Sequence, residues 1–361
     1  MRNKLLIGSC LLILWTGLQA QQPASPSPVH TDKQNLLTYY DAAGASHRVR
    51  TVADWESRRA QILSNMQLVM GPLPQPSNAP LDVKIESTAE LATLRREKIT
   101  FLGADGDRVP AYLFIPKLPH GVKVAGILCL HETTAVGMGS PAGLGGRPNR
   151  HYALELAERG FVTLAPDYPN FGDYHFDSYA HGYASATMKG ISNHRRAIDL
   201  LQSLPEVNPD EIGVIGHSLG GHNSLFVAVF DDRIKAIVTS CGFTSFEKYK
   251  GGDLTGWSHK GYMPRIAEVY HKNPAEMPFD FTEVLASLAP RPVFINAPVS
   301  DDNFEVSGVK DCIAAALPVY RNIYKAARNL HVTHPNCGHD FPPQVREAAY
   351  KFLARALRSS H

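Results

Sequence analysis

Basic clusters are missing from this 361-residue chain. Charged residues are 19% of the total, and 36 Lys and Arg against 34 Asp and Glu leave a formal net charge of +2. Nucleic-acid binders carry a basic face or stripe, so no nucleic-acid partner is expected. No apolar run approaches the ~20 residues that cross a bilayer, so no stable membrane anchor is expected. No Cys-x-x-Cys pair or His/Cys ladder has the spacing of a zinc site, and no metal or other cofactor is called for. No internal repeat is visible, which excludes solenoid and propeller architectures. Cysteine is scarce, with five in all.

What is present begins with a leader. Arg2 and Lys4 precede an apolar run over residues 5–15, interrupted only by Gly8 and Ser9. Leu18-Gln19-Ala20 supplies a small-residue cleavage site before Gln21, so residues 1–20 read as a signal peptide and the protein as secreted or periplasmic. Loss of Arg2 and Lys4 takes the formal charge from +2 to 0. Ile7-Gly8-Ser9-Cys10 loosely resembles a lipoprotein cleavage box. The apolar run before Cys10 is very short, so lipidation stands below soluble export. Cys129, Cys241, Cys312 and Cys337 remain, an even number that permits disulfides in an exported protein. Cys129 and Cys241 sit in or at the end of apolar strands and read as buried thiols.

Residues 21–28 are rich in Pro, Ser and Gln and read as a linker. Trp55, Ile62, Met66 and Val69 recur at helical spacing, and Gly71-Pro72-Leu73-Pro74 stops that helix. Residues 21–90 therefore read as a linker and N-terminal helical extension, and 91–361 as the main domain. Residues 98–102 and 109–115 are β-rich around a Gly103–Asp107 turn, as in a hairpin. Strands at 124–130, 161–165, 212–215, 234–240, 292–296 and 330–333 then alternate with helical segments. That pattern specifies an α/β fold with a mostly parallel central sheet and helices on both faces. Residues 246–281 break the alternation with Gly251, Gly252, Trp257, Tyr262, Met263 and Pro264. A stretch this long is usually functional and reads as a cap-like insertion, with Trp257, Tyr262 and Met263 as substrate-binding pocket wall.

Gly216-His217-Ser218-Leu219-Gly220 is a G-x-S-x-G sequence that follows one expected strand and opens one expected helix. That context makes Ser218 a candidate nucleophile held at a sharp turn, with glycines where a side chain would clash. A serine hydroxyl needs a base. Among 16 histidines, His339 lies after the last strand, in the chain-order position Ser…Asp…His. His217 adjoins the serine, but its side chain should point elsewhere. The orienting carboxylate should follow the strand at 292–296, where Asp301 is preferred and Asp302 is the alternative. Oxyanion donors are expected at the backbone of Leu219 and in the loop after 124–130, at Thr133 with Thr134 as fallback.

Five segments carry a resemblance. They are Leu130-His131-Glu132-Thr133-Thr134, Ala165-Pro166-Asp167-Tyr168, Gly216-His217-Ser218-Leu219-Gly220-Gly221, Ser300-Asp301-Asp302-Asn303-Phe304 and Cys337-Gly338-His339-Asp340-Phe341-Pro342. Over about residues 91–357 the chain resembles the dienelactone hydrolase and acetyl xylan esterase branch of the α/β-hydrolases, with looser similarity to prolyl oligopeptidase catalytic domains. Dienelactone hydrolases proper use cysteine where this chain has Ser218. The resemblance implies a secreted serine esterase acting on acylated carbohydrate or a related small ester, with the acid at the first Asp of the Asp-Asp-Asn-Phe run. Two other classes compete. An oligopeptidase-type peptidase would need a propeller that the roughly ninety residues before the domain cannot supply. A non-catalytic binding protein of this fold would be expected to have lost Ser218, His339 or the acid, and all three are present.

Overall fold

The computed structural model describes residues 28–358. The expected leader, Cys10 and all but the last residue of the linker lie outside the described residues. Two short strands, β1 (Thr38–Tyr40) and β2 (Ser46–Arg48), form an antiparallel pair that sequence pattern did not announce. Helix α1 (Val52–Met70) follows, capped by Thr51, whose side chain accepts from the Asp54 amide while the Asp54 carboxylate accepts from the Thr51 amide. Trp55, Ile62, Met66 and Val69 are buried with Arg58 and Asn65 on one stripe of α1. Each apolar side chain on it contributes about 1.5–3 kcal/mol by burial. Arg58 pairs with Glu283 where both side chains are fully buried, so α1 is bound into the main domain by charge as well as by packing.

The central sheet comprises β3 (Lys84–Glu90), β4 (Leu94–Leu102), β5 (Arg108–Pro116), β6 (Val124–Leu130), β7 (Val162–Pro166), β8 (Val207–His217), β9 (Ile234–Ser240), β10 (Val293–Asn296) and β11 (Leu330–Thr333). Helices α2 (Tyr152–Ala157), α3 (Ala186–Ser203), α4 (Leu219–Phe230), α5 (Arg265–Glu268), α6 (Phe281–Ala286), α7 (Val306–Pro318) and α8 (Pro343–Arg358) connect or close it. The nine strands lie in the order β11, β10, β9, β8, β6, β7, β5, β4, β3. From β7 to β11 every neighbouring pair is parallel, and β3, β4 and β5 add an antiparallel edge. The fold is therefore the expected mixed but mainly parallel α/β sheet. β3 precedes residue 91, so the sheet begins upstream of the boundary set by composition. Its mostly exposed KIESTAE sequence carries no apolar alternation to mark it.

Helices cover both faces. In β6, Ile127 and Cys129 face the cluster containing Tyr152, Leu156, Leu353 and Leu357 of α2 and α8. Leu128 and Leu130 face the cluster containing Ile198, Leu201, Leu225 and Phe226 of α3 and α4. This is period-two alternation with both sides apolar, which is why the strand reads as a continuous hydrophobic run. The chain leaves β6 for β7 on one side, then returns through α3 to β8 on the other. Connections thus diverge beyond the carboxyl ends of β6 and β8, where sheets of this kind open a crevice. Cys129, Cys241, Cys312 and Cys337 are all free thiols, so none of the permitted disulfides forms among them.

Candidate active site

Ser218 sits between β8 and α4 at φ +55°, ψ −116°, a region that side chains rarely adopt. Two glycines make the turn possible. A Cβ on Gly216 would lie 2.1 Å from the Gly220 carbonyl oxygen, and one on Gly220 would lie 1.9 Å from that of Leu130. The backbone is locked further by the Ser218 amide, which donates to Ser240 O at 2.8 Å. Ser218 opens into a cavity of about 320 Å³ lined also by Glu132, Thr133, Thr134, Gly146, Arg147, Arg150, His217 and His339. The first N–H groups of α4 lie directly behind the serine, a setting that favours negative charge.

The loop after β10 brings Asp301 to His339. Nδ1 of His339 lies 2.9 Å from Asp301 Oδ1 and 3.0 Å from Oδ2. The His339 side chain is 21% exposed and that of Asp301 only 1%, so the carboxylate is screened while the imidazole faces the cavity. Burial pushes the Asp301 carboxyl up, but the His339 hydrogen bond and charge, with the amides of Phe304 and Asn303, outweigh it and hold its pKa below the usual value. Those amides donate to Oδ1 at 3.0 and 2.9 Å. Asp302 is exposed, and its backbone carbonyl accepts from Lys250. The geometry thus joins His339 to Asp301 and leaves Asp302 outside.

Several residues around this pair were not foreseen. Arg150 donates to Asp340 Oδ1 at 2.8 Å and to His339 O at 3.3 Å, while Asn149 Nδ2 reaches Asp340 Oδ2 at 2.7 Å. Asn296 Nδ2 donates to Asp340 O at 2.9 Å. Together they hold the histidine loop in place. Their partners lie 44 to 191 residues away in sequence, so no local signal marks them. Cys241 completes a cluster with Asp301 and His339 whose polar atoms lie within 4.8 Å of one another. Burial, then the Asp301 charge, pushes its thiol pKa well up, so it stays protonated. His217 was expected to point away but lines the same cavity, with its ring centroid 4.8 Å from that of His339. Its Nδ1 lies 2.9 Å from Ser240 Oγ. Burial, then the charges of Arg150, His339 and Arg147, lowers its pKa far below the usual histidine value and keeps it neutral.

The loop after β6 supplies the opposite wall. His131 Nε2 accepts from the Tyr168 amide at 2.9 Å, so Nδ1 carries the proton and donates to Glu132 O at 2.6 Å. Glu132 Oε1 accepts from Ser140 at 2.7 Å. These bonds set the path of the chain through Thr133 and Thr134, both on the cavity. Leu219 is buried as the first residue of α4, so its backbone lies beside the serine.

The insertion departs from expectation. Trp257, Tyr262 and Met263 are absent from the cavity wall. Trp257 is 3% exposed and packs among Phe246, Tyr249, His222, Phe281 and Phe304, and Met263 is fully buried. A bulky aromatic side chain gains more from this closed cluster than from a wet pocket. Tyr262 alone reaches toward the site, with its hydroxyl 2.9 Å from Thr133 Oγ1.

Comparison with known proteins agrees with this fold. The chain superposes on a glucuronoyl esterase from Solibacter usitatus with a TM-score of 0.68, covering 94% of this chain and 100% of that one at 17% identity. Acetyl xylan esterase 1 from Thermoanaerobacterium sp. JW/SL YS485 gives 0.55, covering 83% and 99% at 18% identity. The chain has the α/β-hydrolase fold. Within this fold, residues 171–324 match the family model for fungal glucuronyl esterases, a span that contains Ser218 and Asp301. The Bacillus subtilis (strain 168) protein YtaP is 29% identical over 216 residues, 57% of this chain and 68% of that relative. Among the described residues no helix is long and apolar enough to cross a membrane.

Proposed function

We propose that this chain is an exported serine esterase of the α/β-hydrolase fold that cleaves carboxylic esters of acylated carbohydrates or related small molecules. The observation that carries the reading is Ser218 at a strained turn, in one cavity with a His339 imidazole whose Nδ1 is held by buried Asp301. In the reaction, His339 Nε2 takes the Ser218 proton as Oγ attacks the ester carbonyl. Asp301 fixes the Nδ1–H tautomer and stabilises the imidazolium. The oxyanion is met by backbone N–H groups of Leu219 and Thr133, aided by the α4 N-terminus. Collapse of the tetrahedral intermediate breaks the ester C–O bond, and His339 returns the proton to the leaving alcohol. Water, deprotonated by the same imidazole, then releases the acid and restores Ser218. The known esterases that share this fold, and the glucuronyl esterase model match, support an ester over a peptide substrate.

The test is an ester panel from p-nitrophenyl acetate to acetylated xylan and glucuronate esters, each run with wild type and Ser218→Ala, together with a serine-directed phosphonate. The reading requires labelling at Ser218 alone. Near wild-type turnover by Ser218→Ala would sink it. Export is tested by mass spectrometry of the mature protein, which should begin at Gln21. A diacylglyceryl group on Cys10 would replace soluble export by lipid anchoring.

A further inference from the structure

The loop after β6 is held firmly as far as Glu132 and loosely beyond it. His131 is fixed by the Tyr168 amide, and Glu132 by Ser140. The next backbone bond runs from the Gly137 amide to Thr134 O at 3.1 Å. Thr133 lies between these anchors and is exposed. Among the described residues, neither its amide nor its carbonyl meets a protein partner. Its one hydrogen bond is made by the side chain, with Thr133 Oγ1 2.9 Å from the Tyr262 hydroxyl. Exposed segments with few bonds open most easily in a fold, so this bond governs where the Thr133 amide points.

Tyr262 lies 129 residues downstream, in the insertion, and is itself tightly placed. Its amide donates to His259 O at 2.9 Å, and its carbonyl accepts from the Thr187 amide of α3 at 3.3 Å. Its ring centroid is 4.3 Å from that of His259 and 5.6 Å from that of His222 on α4. The ring also packs against the cluster of Tyr168, Ala186 and Leu219. Burial raises the hydroxyl pKa above its ordinary value of 10 and outweighs the Thr133 bond, so the group keeps its proton. The packing that holds the insertion together uses the ring, whereas the hydroxyl's hydrogen bond leads outward to the loop.

From this geometry we infer that Tyr262 is a positioning residue for the oxyanion hole. Its hydroxyl fixes the Thr133 backbone on the wall of the Ser218 cavity, and its ring braces the cluster that contains Leu219. The inference rests on the serine-esterase reading and adds the residue that sets its two oxyanion donors relative to each other. Such donors act only when they stand about 2.7–3.1 Å from the oxyanion, and deleting one costs on the order of 10²–10³ in kcat. A donor on a loosened loop is still present but misplaced, so its loss is smaller.

Variants at both ends of the bond test this on p-nitrophenyl acetate. Tyr262→Phe keeps the ring and removes the hydroxyl, and it should lower kcat about 10- to 30-fold with KM within about threefold. Thr133→Val removes the partner hydroxyl at nearly constant shape and should give the same fall. The double variant should be no slower than either single one, because all three lack one and the same bond. Thr133→Ser, which keeps a hydroxyl, should recover most of the loss seen in Thr133→Val. The rate at which the phosphonate labels Ser218 should fall in step with kcat, since that reaction builds charge on the same oxygen position. Melting curves accompany every variant, and the Thr133 pair decides the matter where Tyr262→Phe does not fold. Losses that add in the double variant would make Tyr262 a direct oxyanion donor and overturn the inference. So would an unchanged kcat in either single variant, or a loss confined to melting temperature. Failure of the esterase reading is distinct: wild type would then neither hydrolyse p-nitrophenyl acetate nor react with phosphonate at Ser218.

Discussion

The turn between β8 and α4 and the insertion after β9 both lie above the carboxyl edge of the sheet, and they are held by opposite means. At the turn, backbone touches backbone, and side chains are excluded at Gly216 and Gly220. In the insertion, backbone is irregular and side chains supply the structure, with Trp257 at the centre of a ring of aromatics. The first region tolerates almost no change of residue type. The second needs only bulk and apolarity. Position is therefore guarded at the turn by geometry and in the insertion by packing, and substitutions should separate the two.

The largest effect is expected at the turn itself. Ser218→Ala should lower kcat on p-nitrophenyl acetate by on the order of 10⁵ or more, as in other hydrolases stripped of their nucleophile, while the melting temperature does not fall. Next comes the acid. Asp301→Asn should lose about 10⁴ in kcat, because the imidazole loses its tautomer and its counter-charge, whereas Asp302→Asn should stay within about tenfold. The reverse ranking would dissociate the observed His339–Asp301 contact from catalysis.

Insertion and turn part company over stability. Trp257→Ala should cost about 3–5 kcal/mol in denaturant unfolding yet leave the KM for p-nitrophenyl acetate within about threefold. A KM rise without a stability loss would return Trp257 to the pocket wall. Gly220→Ala, by contrast, should yield little folded protein, since its methyl meets the Leu130 carbonyl.

The smallest effect is a pH dependence. Asp301 has a folded-state pKa below its ordinary value of 3.8. Its contribution to stability is therefore present above pH 3.8 and lost as pH falls through the lowered folded value. The stability gap between wild type and Asp301→Asn should accordingly shrink as pH falls below 3.8, as read from paired melting curves. A gap that widened below pH 3.8 would mean that the folded protein does not favour the charged carboxylate.

The same contrast explains what could be read from the chain. β6 and β8 are legible because strands covered on both faces must be apolar throughout, and the motif around Ser218 because the turn dictates glycine at fixed offsets. His339 and Asp301 follow from chain order, though only the fold shows which of two adjacent aspartates turns inward. Trp257 was illegible as core because aromatic residues line pockets and fill cores alike. β3 was illegible because an exposed edge strand has no buried face to pattern it. Arg150, Asn149 and Asn296 act across distant segments, and nothing nearby in sequence hints at their partners.

The backbone of Ser218 has one consequence for anyone who evolves this protein in the laboratory. Its conformation, φ +55° and ψ −116°, costs about 1–3 kcal/mol for a residue with a side chain and almost nothing for glycine. Ser218→Gly should therefore be among the easiest gains in heat resistance that the chain offers. A library sorted by survival at high temperature alone would enrich it, and the winners would be robust, well folded and inert.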